Sequence, residues 1–187
     1  MKIALSIFVL ILIELSSFAQ SEIGVIGGGA YSVKKLTYSS RSSISESFNL
    51  YSIQIGGYFR SNFSKNNAIE VDLIYSQNRI NNIIQNYSLG IPILVSQKFS
   101  NSSFDLGLNF DIDNGYKFKL LNTNFKDNLK IFGVVAYNQQ LSELIKINFR
   151  YGYLFYDALY NSNLAYKNYT NITNQFNLGL SYRLSKL

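Results

Sequence analysis

An all-β fold is what this sequence predicts. The expected architecture is an eight-stranded antiparallel up-and-down transmembrane β-barrel, with short periplasmic turns and longer extracellular loops. Three observations predict it. Apolar and polar side chains alternate with a period of two along most of the chain. The alternating segments exceed the roughly 5–6 residues usual in soluble strands and reach the roughly 9–11 that a tilted membrane strand needs. The connections between them are short and long by turns, as in barrels whose two ends differ.

The N-terminus reads separately from the rest. Lys2 is a small positive region, Ile3 to Ile13 is a mainly apolar run, and Ser17 and Ala19 are small residues ahead of Gln20. That is the pattern of a secretory signal peptide cleaved after Ala19. The run is too short to cross about 30 Å of hydrocarbon as a helix, and Glu14 follows it. Residues 1–19 are therefore expected to be a signal peptide and residues 20–187 one barrel domain. The removed segment carries one Lys and one Glu, so the formal charge of +6 is kept.

Composition removes several function classes. The chain has no Cys and no His. There is no thiolate nucleophile or ligand, and the commonest general base and metal ligand is missing. Its 17 Lys and Arg are scattered, with no basic block longer than Lys34-Lys35. Nucleic-acid binding is not expected without a concentrated basic footprint.

Eight strands are expected near residues 22–33, 48–60, 67–77, 86–98, 103–113, 129–139, 143–156 and 174–184. The first, EIGVIGGGAYSV, is glycine-rich and has no clean facing. On the second, Tyr51, Ile53, Ile55 and Phe59 share one face, and Ser52, Gln54, Gly56 and Arg60 the other. On the third, Ile69, Val71, Leu73 and Tyr75 oppose Ala68, Glu70, Asp72 and Ser76. The fourth contains Pro92, which cannot donate to a ladder, so a bulge or a missing ladder bond is expected there. The fifth, SFDLGLNFDID, alternates best, with Phe104, Leu106, Leu108, Phe110 and Ile112 against Asp105, Asn109, Asp111 and Asp113. The sixth, LKIFGVVAYNQ, is apolar on both faces. On the seventh, Ile145, Ile147, Phe149, Tyr151 and Tyr153 oppose Lys146, Asn148, Arg150 and Gly152. On the eighth, Phe176, Leu178, Leu180, Tyr182 and Leu184 oppose Asn177, Gly179, Ser181 and Arg183.

A soluble barrel hides its apolar face and shows its charges. A membrane barrel does the reverse. Strand length, alternating connections, the signal peptide and aromatics near strand ends (Tyr51, Phe59, Tyr75, Tyr87, Phe155 and Tyr182) favour the membrane arrangement. Long connections are expected at 34–47, 114–128 and 157–173, a moderate one at 79–85, and short ones at 61–66, 99–103 and 140–142. An even strand count returns both ends of the mature chain to the periplasmic, short-turn side.

Several segments resemble a known family. NYSLGIPILVSQKF, with Pro92 after Ile91, is similar to the tyrosine-leucine-x-isoleucine-proline-leucine strand of the PorT-type outer-membrane β-barrel family. SFDLGLNFDIDNGYKFK resembles its next strand and loop, FRYGYLFYDAL its arginine-tyrosine-x-x-glycine segment, and FNLGLSYRL its closing strand. Gly152 comes earlier than the pattern has it, and Leu184 stands where a terminal Phe is usual. The resemblance covers nearly all of the mature chain. It implies an outer-membrane barrel, an accessory role in protein export, and no catalytic residues.

The ionisable groups of the inward faces are the candidate site. Glu70 and Asp72, and Asp111 and Asp113, are carboxylates two apart on one face. Such pairs can act as acid and base or hold a hard cation. The favoured reading is a structural ion network in the lumen, made by Arg60, Glu70, Asp72, Asp111, Lys130, Arg150 and Arg183, with Lys146 beside them. No cofactor, metal or catalytic residue is expected. The glycines of GVIGGGA are followed by no helix, so a phosphate loop is not expected. The partners expected are outer-membrane lipid and, through the loops, envelope or secretion proteins. Two other functions fit parts of the pattern: a soluble periplasmic lipocalin-like binder of an apolar ligand, and a lipid-modifying enzyme, which would need a base that no His supplies.

Overall fold

The computed structural model describes residues 21–39, 43–80, 83–114, 117–118, 123–124, 128–157 and 169–186. The expected signal segment lies outside the described residues. In chain order the strands are β1 (Ser21–Ser39), β2 (Ser43–Asn62), β3 (Asn67–Ile80), β4 (Ile83–Phe99), β5 (Ser102–Asn114), the short β6 (Lys117–Phe118) and β7 (Thr123–Asn124), β8 (Asn128–Gln140), β9 (Ile145–Asp157) and β10 (Tyr169–Lys186). Eight of them form a closed barrel in the order β1-β10-β9-β8-β5-β4-β3-β2, while β6 and β7 pair separately. Every barrel pair is antiparallel, and β1 closes on β10. Closure matters physically, because it leaves no open edge with unpaired backbone groups.

Alternation sorts the side chains into an apolar outside and a polar inside. Ile55 and Leu106 are each 65% exposed, whereas Asp72 is 0% exposed. Outward rings meet in pairs: Tyr31 with Tyr51 at 5.3 Å between centroids, Tyr151 with Phe176 at 5.0 Å, and Phe104 with Tyr137 at 5.3 Å. Tyr51, Tyr75, Tyr87, Phe155 and Tyr182 are exposed as expected. Phe59 is not: it keeps the outward parity, opposite Ile23 and Val71, yet is only 3% exposed. Val71 and Ile91 are likewise buried, in a cluster with the partly buried Ile69, Leu73, Leu89, Ile93 and Ile112.

The strands outrun their apolar segments. The connection expected at 34–47 is largely strand, because β1 and β2 stay in register as far as Ser39 opposite Ser43. The last strand begins at Tyr169 rather than 174. Apolar alternation reports the environment of a strand, whereas backbone pairing continues into polar surroundings with no such signal. At the other end the connections are tight, at residues 63–66, 100–101 and 141–144. Ser64 and Ser142 cap two of these turns by accepting backbone N–H bonds from Asn67 at 3.0 Å and from Ile145 at 3.2 Å. Ser21 and Lys186 lie at this same end, since they begin β1 and end β10.

Pro92 interrupts one ladder. Between β3 and β4 the pairing runs to Val71 opposite Ile93 and resumes at Ile74 opposite Gly90, with no register shift across the gap. On its other side Pro92 stays paired with Asn109. The missing donor thus removes ladder positions without adding a bulge. Register shifts occur elsewhere, at Ile23/Gly24, Asn78/Arg79 and Ile131/Phe132.

Candidate functional site

The inward faces build a charged lumen around one cross-barrel contact. Arg150 stands on β9 and Glu70 and Asp72 on β3. In the barrel order these strands are four steps apart either way, and so face each other across the lumen. Arg150 spans it. Its Nη1 donates to Asp72 Oδ2 at 2.5 Å and its Nη2 to Glu70 Oε1 at 3.1 Å. Arg60 on β2 reaches Glu70 from the side: Nη1 donates to Oε2 at 3.2 Å, and Nη2 donates to Ser96 Oγ at 2.7 Å. Glu70 therefore bridges two guanidinium groups, and all four ionic side chains are buried. Planar guanidinium forks suit this geometry, since each can hold two acceptors at once.

A second cluster lies nearer the short-turn end. Glu22 on β1 accepts from Lys146 Nζ at 2.6 Å and stands 3.6 Å from Arg183 Nη1. The Lys146 ammonium also sits 5.3 Å from the ring centroid of Tyr58, over its negative face. Tyr58 fits there because Gly24 has no side chain: a Cβ at Gly24 would lie 2.3 Å from the ring.

Arg60, Glu70, Asp72 and Arg150 form one connected unit. Arg183 belongs to the separate Glu22 cluster. Asp111 and Lys130 are register partners on β5 and β8. Two participants escaped the sequence reading. Asp105, buried, accepts from Asn138 Nδ2; its parity with Asp111 was the available signal. Glu22 lay in the glycine-rich first strand, where only its parity with Ile26, Ala30 and Ser32 marks it as inward.

The lumen is not uniformly polar. Leu94, Phe132, Val134 and Leu154 form a buried apolar cluster inside it. Hydroxyl and amide pairs fill other levels: Ser52 donates to Asn78 Oδ1 at 2.5 Å, Gln54 Nε2 to Ser76 Oγ at 3.2 Å, and Asn148 Nδ2 to Ser181 Oγ at 2.7 Å. A small space of about 50 Å³ touches Arg150, Gln54, Asn109 and Asp111. A larger one of about 500 Å³ opens at the short-turn mouth and is lined by Arg60 and Glu22. The Arg60–Glu70–Arg150 bridge links the walls of the two. Side chains filling the interior are what an eight-stranded barrel is expected to contain. Among the described residues, no group of three or more Asp, Glu, His or Cys is placed to hold a metal ion.

No protein-family model matches the chain, and no curated protein matches its sequence. Solved structures do match its shape. Neisserial surface protein A, NspA, is 11% identical, with 89% of this chain aligned to 99% of that one and a TM-score of 0.55. Ail of Yersinia pestis is 10% identical, with 89% and 99% covered and a TM-score of 0.48. The outer membrane protein OprG of Pseudomonas aeruginosa is 12% identical, with 89% and 98% covered and a TM-score of 0.46. At such identities the likeness to NspA is one of fold: this chain is a closed eight-stranded antiparallel barrel of the outer-membrane type.

Proposed function

We propose that the chain is an integral outer-membrane protein with a structural and protein-interaction role in the envelope, of the PorT type, serving as an accessory of protein export. The single observation that carries the membrane reading is the inverted distribution of side chains. Branched and aromatic groups such as Ile55, Leu106, Phe149 and Leu178 are exposed around the barrel, while Glu70, Asp72, Arg60 and Arg150 are buried within it. Exposed apolar surface on this scale is costly in water and stable in hydrocarbon. A soluble lipocalin-like binder would need the opposite arrangement, with an apolar cavity inside. The export role is supported by the resemblance in NYSLGIPILVSQKF and FNLGLSYRL, and by a lumen filled with ion pairs instead of a diffusion channel. On this reading residues 1–19 direct export and are removed after Ala19.

Alkaline carbonate extraction of membranes tests the location. The mature chain should stay in the pellet and shift its gel mobility on heating, as closed barrels do. Recovery in the soluble fraction overturns the membrane reading. Loss of substrate secretion on deletion of the gene is the expected result for the export role; unchanged secretion removes that role and leaves the barrel.

A further inference from the structure

The vestibule at the short-turn mouth is strongly basic. Six cations line it, Arg60, Lys65, Lys98, Lys146, Arg183 and Lys186, against two acids, Glu22 and Glu143. Internal pairing does not absorb the difference. Arg60 is committed to Glu70 and Ser96. Glu22 is one carboxylate facing two cations, held closely by Lys146 and at 3.6 Å by Arg183, beyond hydrogen-bond length. Among the described residues, no ion pair involves Lys65, Lys98, Lys186 or Glu143. Arg183 is mostly buried in the wall, with 13% of its side chain exposed, and lines the open space, so its guanidinium is held in place while still facing the vestibule.

A concave, low-dielectric wall with excess charge of one sign focuses a field on the counter-ion. A guanidinium fork with open donors, flanked by ammonium groups, is the arrangement that holds a tetrahedral oxyanion. The space of about 500 Å³ admits a phosphate with a substituent attached. We infer that this vestibule binds a phosphate-bearing anion, with Arg183 as the planar donor and Lys98 and Lys186 as flanking charges. The anion can reach it from two sources. One is a soluble phosphate ester. The other is the headgroup of an anionic phospholipid, because the turns around the mouth also expose Phe63, Leu141 and Leu144, which suit the boundary of a bilayer. Only this second source rests on the membrane reading above.

The test uses the full mature chain in nanodiscs of phosphatidylcholine, with inorganic pyrophosphate as the probe in titration calorimetry. Saturable binding that weakens with salt is expected, with at least a tenfold loss in the triple variant Arg183→Gln, Lys98→Gln, Lys186→Gln. In a second arm phosphatidylglycerol replaces part of the lipid, and the phosphorus NMR signal of its headgroup is followed without pyrophosphate. Binding in the first arm identifies a soluble ligand. Broadening of the headgroup signal that the triple variant abolishes identifies the lipid. The variant must keep its heat-dependent gel shift, which shows that the barrel is intact; Lys98→Gln alone, at an exposed site, serves if it does not. No difference between the native chain and a folded variant in either arm overturns the proposal.

Discussion

Arg150 and its two acids show how a buried charge acts within a lumen. Taking each ion out of water costs several kcal/mol, so the group is stable as a set and costly when broken. Arg150→Gln strips a partner from both Glu70 and Asp72, whereas Asp72→Asn leaves Arg150 bound to Glu70. Arg150→Gln should therefore destabilise by roughly 3–5 kcal/mol, and Asp72→Asn by less. The double variant should cost less than the sum, because the two changes share one interaction. Urea unfolding in lipid measures all three, and strict additivity refutes the coupling. Glycine makes a second residue-scale case. A Cβ at Gly107 would lie 2.0 Å from the carbonyl oxygen of Ile93 on the neighbouring strand, and backbone cannot step aside. Gly107→Ala should cost roughly 1–3 kcal/mol as overpacking. At Gly27 the nearest atom is 3.9 Å away, so Gly27→Ala should be near neutral in the same assay.

At the scale of elements, turns and strands differ in how much the sequence reveals. Ser100 has a φ of 52° in the two-residue connection 100–101. The left-handed region costs a non-glycine residue roughly 1–2 kcal/mol, while glycine loses roughly 0.4–1 kcal/mol more on folding. Ser100→Gly should thus stabilise by roughly 0.5–1 kcal/mol, seen as a higher urea midpoint with an unchanged slope. No composition signal marks that strain, since Ser-Asn reads as an ordinary turn. The fifth strand was legible because Phe104, Leu106 and Leu108 meet one environment and Asp105, Asn109 and Asp111 another. The sixth segment, now β8, was not, because Phe132 and Val134 point into the apolar part of the lumen. Alternation fails where both faces of a strand are apolar. The polar ends of β1 and β2 were hidden for the converse reason. The pairing of Arg150 with Asp72 could be anticipated from parity and height, but its bond to Glu70 depends on how far a guanidinium reaches across the closed barrel.

For the whole molecule, the two ends of the barrel are unlike, and that difference predicts an orientation. One end holds the connections 63–66, 100–101 and 141–144 with Ser21 and Lys186; the other holds the extended β1–β2 hairpin and the connection between β9 and β10. A barrel inserted from the periplasm must pass one end through the bilayer, and outer-membrane barrels keep their short turns on the side they enter from. The native chain has no cysteine, so one introduced thiol reports alone. Ser42→Cys, between β1 and β2, should react with a membrane-impermeant maleimide in intact cells. Asn66→Cys and Asn101→Cys, in the tight turns, should react only once the outer membrane is permeabilised. The reverse pattern inverts the barrel and carries the basic vestibule to the cell exterior. Equal labelling of all three in intact cells is incompatible with a span across a sealed membrane.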